Sequence, residues 1–269
     1  MDRKFTPKDI LDSALRLWWF VAAVMLLGAA AGWTFHRIRP AVYEGRASLA
    51  TGIDYVRTGP LNDLEEDQAM ELVGDVIKAD DTRQAALALA ESQGIRIPNA
   101  LFVESSYLER QNYTWILRVR HADPAAAAIL TNAWLEAAYT GLEEAYRHAL
   151  IAEGLLQYSQ SLTRCLENSI SSEPVQALCA AQNLAEIQEE LLAVNDAKTA
   201  ELLASRGLFP AMAFTIVERA SIPSSPAAYQ RNTLVFSGAM LGFVLGVWLI
   251  SSGLAEKYVT RADKRGKSV

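Results

Sequence analysis

The residue types that most often perform chemistry are sparse in this chain of 269 residues. Its three histidines, His36, His121 and His148, do not stand at the spacing of metal ligands. Its two cysteines, Cys165 and Cys179, are 14 residues apart, which matches no zinc pattern. The chain also lacks the H-E-x-x-H motif of zinc peptidases and the G-x-S-x-G motif of serine hydrolases. We therefore predict that it is not an enzyme and that it has no catalytic, metal or cofactor site.

Two long runs without a charged residue, 17–35 and 232–255, dominate the hydropathy pattern. As helices they would measure about 29 and 36 Å, which is enough to cross a hydrocarbon core of about 30 Å. We therefore predict two transmembrane helices. A buried core helix is the alternative for either run, and a signal peptide cleaved near Ala29, Ala30 and Ala31 is a further alternative for the first.

The charges outside the two runs predict an orientation. Residues 1–16 carry a net charge of +1 and residues 256–269 carry +3, although the whole chain carries −6. Because Lys and Arg next to membrane helices stay in the cytoplasm, we expect both termini inside and the acidic segment between the helices outside. His36, Arg37 and Arg39 depart from this rule, which large exported domains tolerate.

The exported segment alternates between strand and helix patterns. Period-two alternation predicts strands at 41–52, 101–108, 113–121 and 211–223, and helix patterns cover 61–94 in two helices, 125–167 and 174–205. We expect Asp63 to cap the first of these helices, Asp80 or Asp81 to cap the second, and Gly94 to end it. The first and last strands each adjoin a membrane helix, so we expect them to pair and form a base.

The longest helix pattern begins after Asp123, a predicted N-cap, with Pro124 in the first helical position. It would measure about 64 Å and carry a coiled-coil-like stripe of large side chains. The stripe consists of Leu135, Tyr139, Leu142, Tyr146 and Leu150, followed after a one-residue shift by Ile151, Leu155, Tyr158, Leu162 and Cys165. The next helix carries Leu184, Ile187, Leu191 and Val194, which predicts a projecting helical hairpin.

The two cysteines flank the predicted tip of this hairpin. An oxidising location outside the cytoplasm would allow Cys165 and Cys179 to form a disulfide. Closing that interval would stabilise the tip by about 3 kcal/mol on the loop-entropy model. Two unpaired buried thiols are the alternative.

The second apolar run follows two prolines and contains glycines at a four-residue step. Pro223 and Pro226 would hold the chain extended and stiffen the junction with the membrane helix. Glycines on one face allow membrane helices to approach closely. The predicted packing residues are Gly238, Gly242 and Gly246, with Gly28 and Gly32 on the first helix. The alternative is that glycine is simply frequent in membrane helices.

These predictions give an α+β membrane protein in which two transmembrane helices flank an exported α+β base with a long projecting helical hairpin. The segments are a cytoplasmic N-terminus (1–16), transmembrane helix 1 (17–35), the base (36–123), the hairpin (124–206), a return strand with the proline-rich junction (207–231), transmembrane helix 2 (232–255) and a basic cytoplasmic tail (256–269).

The order of these elements resembles the polysaccharide co-polymerases, the Wzz-type chain-length determinants of bacteria. The matching stretches are YEGRASLAT, YTWILRVRHADPAAAAILTNAW and VERASIPSSPAAYQRNTLVFSGAMLGFVLGV. The resemblance implies a ring-forming homo-oligomer in the bacterial inner membrane, with its main domain periplasmic or extracellular. It also implies a polysaccharide polymerase or exporter as partner. This chain would be a member without a kinase domain, or one paired with a separate cytoplasmic tyrosine kinase.

We therefore predict an oligomeric scaffold that regulates the chain length or the export of a surface polysaccharide. Arg118 and Arg120 are the candidate contacts with the polymer or a partner, and we expect no nucleic-acid partner. The alternatives are an adaptor subunit of another membrane complex and an extracellular sensor domain. Co-purifying partners would separate the adaptor from the scaffold, and a sensor would need a cytoplasmic output module.

Overall fold

The computed structural model describes residues 17–39, 41–171, 184–228 and 230–252. They form a mixed α/β structure with two compact units. The terminal unit is drawn from Met1–Tyr43 and Ser224–Val269, and the central unit from Glu44–Pro223.

The described elements follow one another along the chain as helices α1–α8 and strands β1–β4. Their bounds are α1 Trp18–Ile38, β1 Tyr43–Ile53, α2 Tyr55–Thr58, α3 Asp63–Lys78, α4 Asp80–Ser92, α5 Asn99–Ser105, β2 Ser106–Gln111, β3 Thr114–His121, α6 Pro124–Ser171, α7 Leu184–Ala204, β4 Met212–Glu218 and α8 Arg231–Ser251.

The central unit is built on a four-stranded sheet in the order β2-β3-β1-β4. The pairing that we expected between the first and last strands is present, because β1 and β4 are antiparallel from Ile53 opposite Met212 to Leu49 opposite Ile216. The register shifts between Ser48 and Leu49. Beyond β4, the backbone of Ala220 bonds to the side chain of Asn132 in α6. The amide of Ala220 donates to the side-chain oxygen at 2.8 Å, and the side-chain amide donates to the carbonyl of Ala220 at 2.9 Å.

One face of the sheet packs against α6, and buried residues of α3 and α4 complete the main core. Trp115, Leu117 and Val119 of β3 point into this core, as the alternation predicts, while Arg118 and Arg120 lie on the other face. Met212, Phe214 and Ile216 of β4 also contact the core. Trp134 of α6 fixes α3 against this core, since its indole N–H donates to the carbonyl of Ile77 at 3.0 Å.

The start of α3 differs by one residue from the prediction. Asn62, and not Asp63, is the N-cap, because its side chain accepts from the amides of Leu64 and Glu65. The carboxylate of Glu65 accepts from the amide of Asn62 in return, which completes a capping box. Helix α4 begins at Asp80 without a side-chain cap and ends just before Gly94, whose φ of +85° is readily adopted by glycine.

The prediction of a strand over 101–108 was wrong for most of its length. The chain forms the short helix α5 up to Ser105 and only then enters β2. Phe102 is fully buried against Trp134, with the two rings edge to face at a centroid distance of 5.8 Å. Burial of this one ring outweighs the weak β-propensity of the segment, which is a tertiary effect.

Helix α6 begins where the sequence predicts, because the carboxylate of Asp123 accepts from the amide of Ala125 at 3.0 Å. It pairs with α7 as an antiparallel hairpin, since His148 contacts Glu201 and, ten residues on, Tyr158 contacts Glu190. The predicted start of α7, near Pro174, lies outside the described residues.

The seam between α6 and α7 follows small side chains over part of its length. The predicted stripe is buried at Leu135 and Leu142, which lie in the main core, and at Leu162, which packs against α7. It is wrong at Leu150 and Ile151, which are 38% and 43% exposed, while Tyr158 is 43% exposed but its hydroxyl donates to Glu190 of α7. Here the buried residues are Ala145, Ala149 and Ala152. Alanine lets the neighbouring segment approach, so the larger side chains turn outward. On α7, Ile187 and Val194 of the predicted stripe are buried.

Candidate functional site

The helices of the terminal unit meet through their glycines. A Cβ atom added to Gly28 would overlap the carbonyl oxygen of Gly238 and lie 3.1 Å from the Cα of Gly242. A Cβ on Gly238 would in turn overlap the carbonyl of Gly28. The backbones of α1 and α8 are therefore in direct contact at this point, and only glycine fits there.

The contact extends along both helices. A Cβ on Gly242 would lie 2.9 Å from the Cα of Met25, and one on Gly246 would lie 3.3 Å from the Cα of Val21. At the other end, a Cβ on Gly32 would lie 3.2 Å from the Cα of Val235. All five glycines that the sequence analysis selected thus lie between α1 and α8.

The outer surfaces of α1 and α8 are apolar and uncovered. Leu26 and Leu27 are each 70% exposed and Leu241 is 66% exposed. Both helices are long and apolar enough to cross a membrane, by length and composition. An uncovered apolar surface of this extent is costly in water and favourable in lipid. Neither helix is a buried core helix within the described structure, because nearly all of each is accessible.

The residues that follow α1 and precede α8 are tied to each other. Val42 and Ala228 form an antiparallel bridge, and the amide of Ala227 also donates to the carbonyl of Val42 at 2.8 Å. The carbonyl of Pro226 accepts from the side-chain amide of Gln230 at 2.6 Å. Pro223 is partly buried at the end of the central unit. A stiffening role for the two prolines remains a prediction.

Arg118 and Arg120, the predicted partner contacts, lie on the outer face of the sheet and pair with acidic neighbours there. Glu44 is 2.8 Å from Nε of Arg120 and 3.7 Å from an Nη of Arg118. Arg118 also pairs with Glu109. The guanidinium of Arg120 lies 4.7 Å from the centre of the Tyr107 ring.

Two pKa shifts on this face favour the charged form of the residue concerned. The hydrogen bond that Arg120 donates to Glu44 raises the pKa of Arg120, and burial offsets part of the effect. A hydrogen bond from Gln111, followed by the charges of Arg118 and Arg46, lowers the pKa of Glu109. Both arginines are therefore engaged by acidic side chains within the fold. A ligand at this face would have to share them with Glu44 and Glu109.

An exposed cluster of Tyr55, Tyr113 and Glu66 was missed by sequence reasoning. The two tyrosine hydroxyls donate to the two carboxylate oxygens of Glu66 at 2.7 and 2.6 Å, and they lie 3.1 Å from each other. The three residues come from α2, the β2–β3 turn and α3, so no local spacing relates them. The cluster joins the end of β1 to the start of α3.

We expect this cluster to respond to acid. The hydrogen bonds from Tyr113 and then Tyr55 lower the pKa of Glu66, and the same contacts raise the pKa of Tyr55. A lowered pKa in the folded state stabilises the fold above the ordinary glutamate pKa of about 4.3, and this contribution is lost as the pH falls through the lowered value. Tyr113→Phe should therefore raise the pKa of Glu66 in a carboxyl NMR titration. Tyr107→Phe is the matched control, and an equal effect of both variants would contradict the assignment.

Cys165 lies partly buried near the far end of α6, in a cluster with Leu162 and Ile187. Cys179 lies outside the described residues, so the disulfide remains a prediction. Between α6, α7 and residues 208–210 there is a largely apolar cavity of about 400 Å³, with Lys198 and Glu153 at its wall. Within the described residues, no three His, Cys, Asp or Glu side chains are grouped so as to hold a metal ion.

Comparisons with known proteins give structural similarity alone. No protein-family model matches the chain, and no curated protein matches its sequence. Among solved structures, a full-length bacterial polysaccharide co-polymerase is similar over 93% of this chain and 98% of its own, with 10% identity and a TM-score of 0.39. A point mutant of the lipopolysaccharide O-antigen chain-length regulator WzzBSF from Shigella flexneri is similar over 69% and 99%, with 10% identity and a TM-score of 0.18.

Proposed function

We propose that this chain is a membrane-anchored scaffold that regulates the chain length or the export of a bacterial surface polysaccharide. The observation that carries the proposal is the helix pair formed by α1 and α8. The two apolar helices, from opposite ends of the chain, contact each other at Gly28 and Gly238 and leave their outer apolar surfaces uncovered. Lipid is the environment that this surface fits, which makes the pair a two-helix membrane anchor.

The orientation of the anchor follows from charge. The basic segments before α1 and after α8 favour a cytoplasmic location for both ends, in the bacterial inner membrane. The central unit would then lie on the periplasmic or extracellular side. Its described residues contain no metal-binding cluster, and its ion pairs engage one another within the fold. This arrangement suits a protein that acts by shape and assembly.

The polysaccharide role follows from the resemblance carried by the three stretches YEGRASLAT, YTWILRVRHADPAAAAILTNAW and VERASIPSSPAAYQRNTLVFSGAMLGFVLGV. Copies of the chain would assemble into a ring and present equivalent outward surfaces to a growing polymer or its polymerase. The hairpin of α6 and α7 would contribute the repeated surface, because α6 alone extends for 48 residues, or about 72 Å. Arg118 and Arg120 would be the polymer contacts only if the polymer displaced Glu44 or Glu109 from them.

The function is tested by deleting the gene in the bacterium that produces the protein and resolving its surface polysaccharide by size on a gel. We expect the normal cluster of chain lengths to be lost and to return when the wild-type gene is supplied. Arg118→Gln with Arg120→Gln should shift the lengths if these residues contact the polymer. A distribution that deletion leaves unchanged, together with a monomeric native mass, would rule out the scaffold.

A further inference from the structure

At one end of the helix pair, three arginines have no Asp or Glu partner among the described residues. Arg37 and Arg39 lie where α1 ends, and Arg231 lies where α8 begins. The contact of Gly32 with Leu234 places these two helix ends side by side. The described residues of the terminal unit contain no Asp or Glu at all. Glu44, the next acidic residue along the chain after α1, is already paired with Arg120.

A groove lies between the two helices at the same end. It has a volume of about 600 Å³ and is lined by Trp33, Arg231, Asn232, Val235, Phe236 and Ala239. Phe236 is 67% exposed, and the guanidinium of Arg37 lies 5.1 Å from the centre of the Trp33 ring. Arg231 therefore stands at the polar end of the groove, while the apolar side chains continue along α8 towards the glycines.

We infer that this groove binds a lipid through its phosphate group. The ligand that fits must be anionic at the end near Arg231 and Arg37 and hydrocarbon along Val235 and Phe236, which describes a phosphate-bearing lipid. Arginine favours phosphate because its guanidinium donates several hydrogen bonds in a planar arrangement. Trp33 is of the residue type that is enriched at the headgroup level of membranes. The inference rests on the proposed insertion of the helix pair in a membrane.

The same assignment gives a role to the basic residues that depart from the charge rule. Arginines on the outward side of a membrane helix oppose the usual distribution, and here no acidic residue of the described terminal unit balances them. A lipid phosphate would supply the missing negative charge. An acidic segment of a partner protein would supply charge as well, but it would leave the apolar part of the groove unfilled. We therefore assign the site to a lipid.

The test is native mass spectrometry of the full chain in a non-ionic detergent, titrated with phosphatidic acid. Diacylglycerol with the same acyl chains is the probe without phosphate, and inorganic phosphate is the probe without hydrocarbon. We expect phosphatidic acid to bind at least about tenfold more tightly than either, since one charge-assisted hydrogen bond is worth that factor or more. Arg37→Gln with Arg231→Gln should remove the difference. Arg147→Gln, in the central unit, is the matched control and should leave it unchanged.

Equal binding of diacylglycerol, unchanged affinity in the double variant, or tighter binding of a glutamate-rich peptide would each overturn the inference. If the double variant does not fold, the salt dependence of phosphatidic acid binding to the wild-type chain still tests the inference. A phosphate bound by arginines must bind more weakly at high salt. Salt-independent binding would overturn the site. The oligomer masses in the same spectra report on the scaffold separately. A monomer that binds the lipid would contradict the scaffold alone, and an oligomer that does not would contradict the lipid site alone.

Discussion

Gly28→Leu should separate α1 from α8 and lower the free energy of unfolding of the detergent-solubilised chain by about 3 kcal/mol. The side chain would have to occupy the position of the Gly238 carbonyl, and a backbone atom cannot move aside as the end of a flexible side chain can. The helices would therefore part along the contact that also holds Gly242. Chemical denaturation followed by tryptophan fluorescence measures the loss, and native mass spectrometry measures whether assembly survives.

The matched control for this variant is Ala31→Leu. Ala31 lies on the same helix but is exposed, so a leucine there would enter the lipid or detergent without contacting α8. We expect its stability and assembly to be those of the wild type. If both leucine variants were equally destabilised, the loss would be a general effect of placing leucine on this helix. The backbone contact at Gly28 would then not be responsible.

Phe102→Ala should destabilise the central unit by about 3–5 kcal/mol, the usual cost of deleting a buried aromatic ring. Phe102 is fully buried and packs edge to face against Trp134, whose indole N–H is bonded to the carbonyl of Ile77. The cavity left behind would border Trp134 directly, so the tryptophan emission should shift as well as the unfolding midpoint. The measurement is chemical unfolding of the full chain.

Leu101→Ala provides the control, because Leu101 is on the same short helix and is 53% exposed. Its removal should change stability by only a small fraction of the Phe102 effect. A comparable loss from Leu101→Ala would mean that α5 contributes through its helical structure, and the burial of Phe102 would not explain why 99–105 is helical.

If Gly28→Leu and Phe102→Ala behave as expected, each variant tests one of the two units separately. The first variant addresses the anchor that carries the proposed function. The second addresses the central unit that would be presented outside the membrane. A variant of the anchor that alters polysaccharide length while the central unit stays folded would link assembly to function. A variant of the central unit alone would test the surface that meets the polymer.

Several features followed from the sequence because their causes are local. The absence of charge over 17–35 and 232–255 predicted two apolar helices, found at Trp18–Ile38 and Arg231–Ser251. Asp123 and Pro124 determined where α6 begins. Period-two alternation predicted the two strands that the structure contains as β3 and β4. In each case, neighbours within a few residues supply the physical reason, either a hydropathy period or a cap.

Other features were decided only by contacts between residues far apart in the chain. Phe102, in the segment for which a strand was predicted, is buried against Trp134 of α6. Arg118 and Arg120 pair with Glu44, which lies about 75 residues earlier in the chain. The cluster of Tyr55, Tyr113 and Glu66 has no sequence signature at all.

The packing of the glycines depends on both the sequence and the tertiary structure. Their four-residue step placed Gly238, Gly242 and Gly246 on one helix face, which the sequence determines by the period of the α-helix. The partner of that face and the register at which Gly28 meets Gly238 were decided by the tertiary structure alone. The physical reason is that a missing side chain marks where a backbone can approach, but only the packed helices determine which backbone does so.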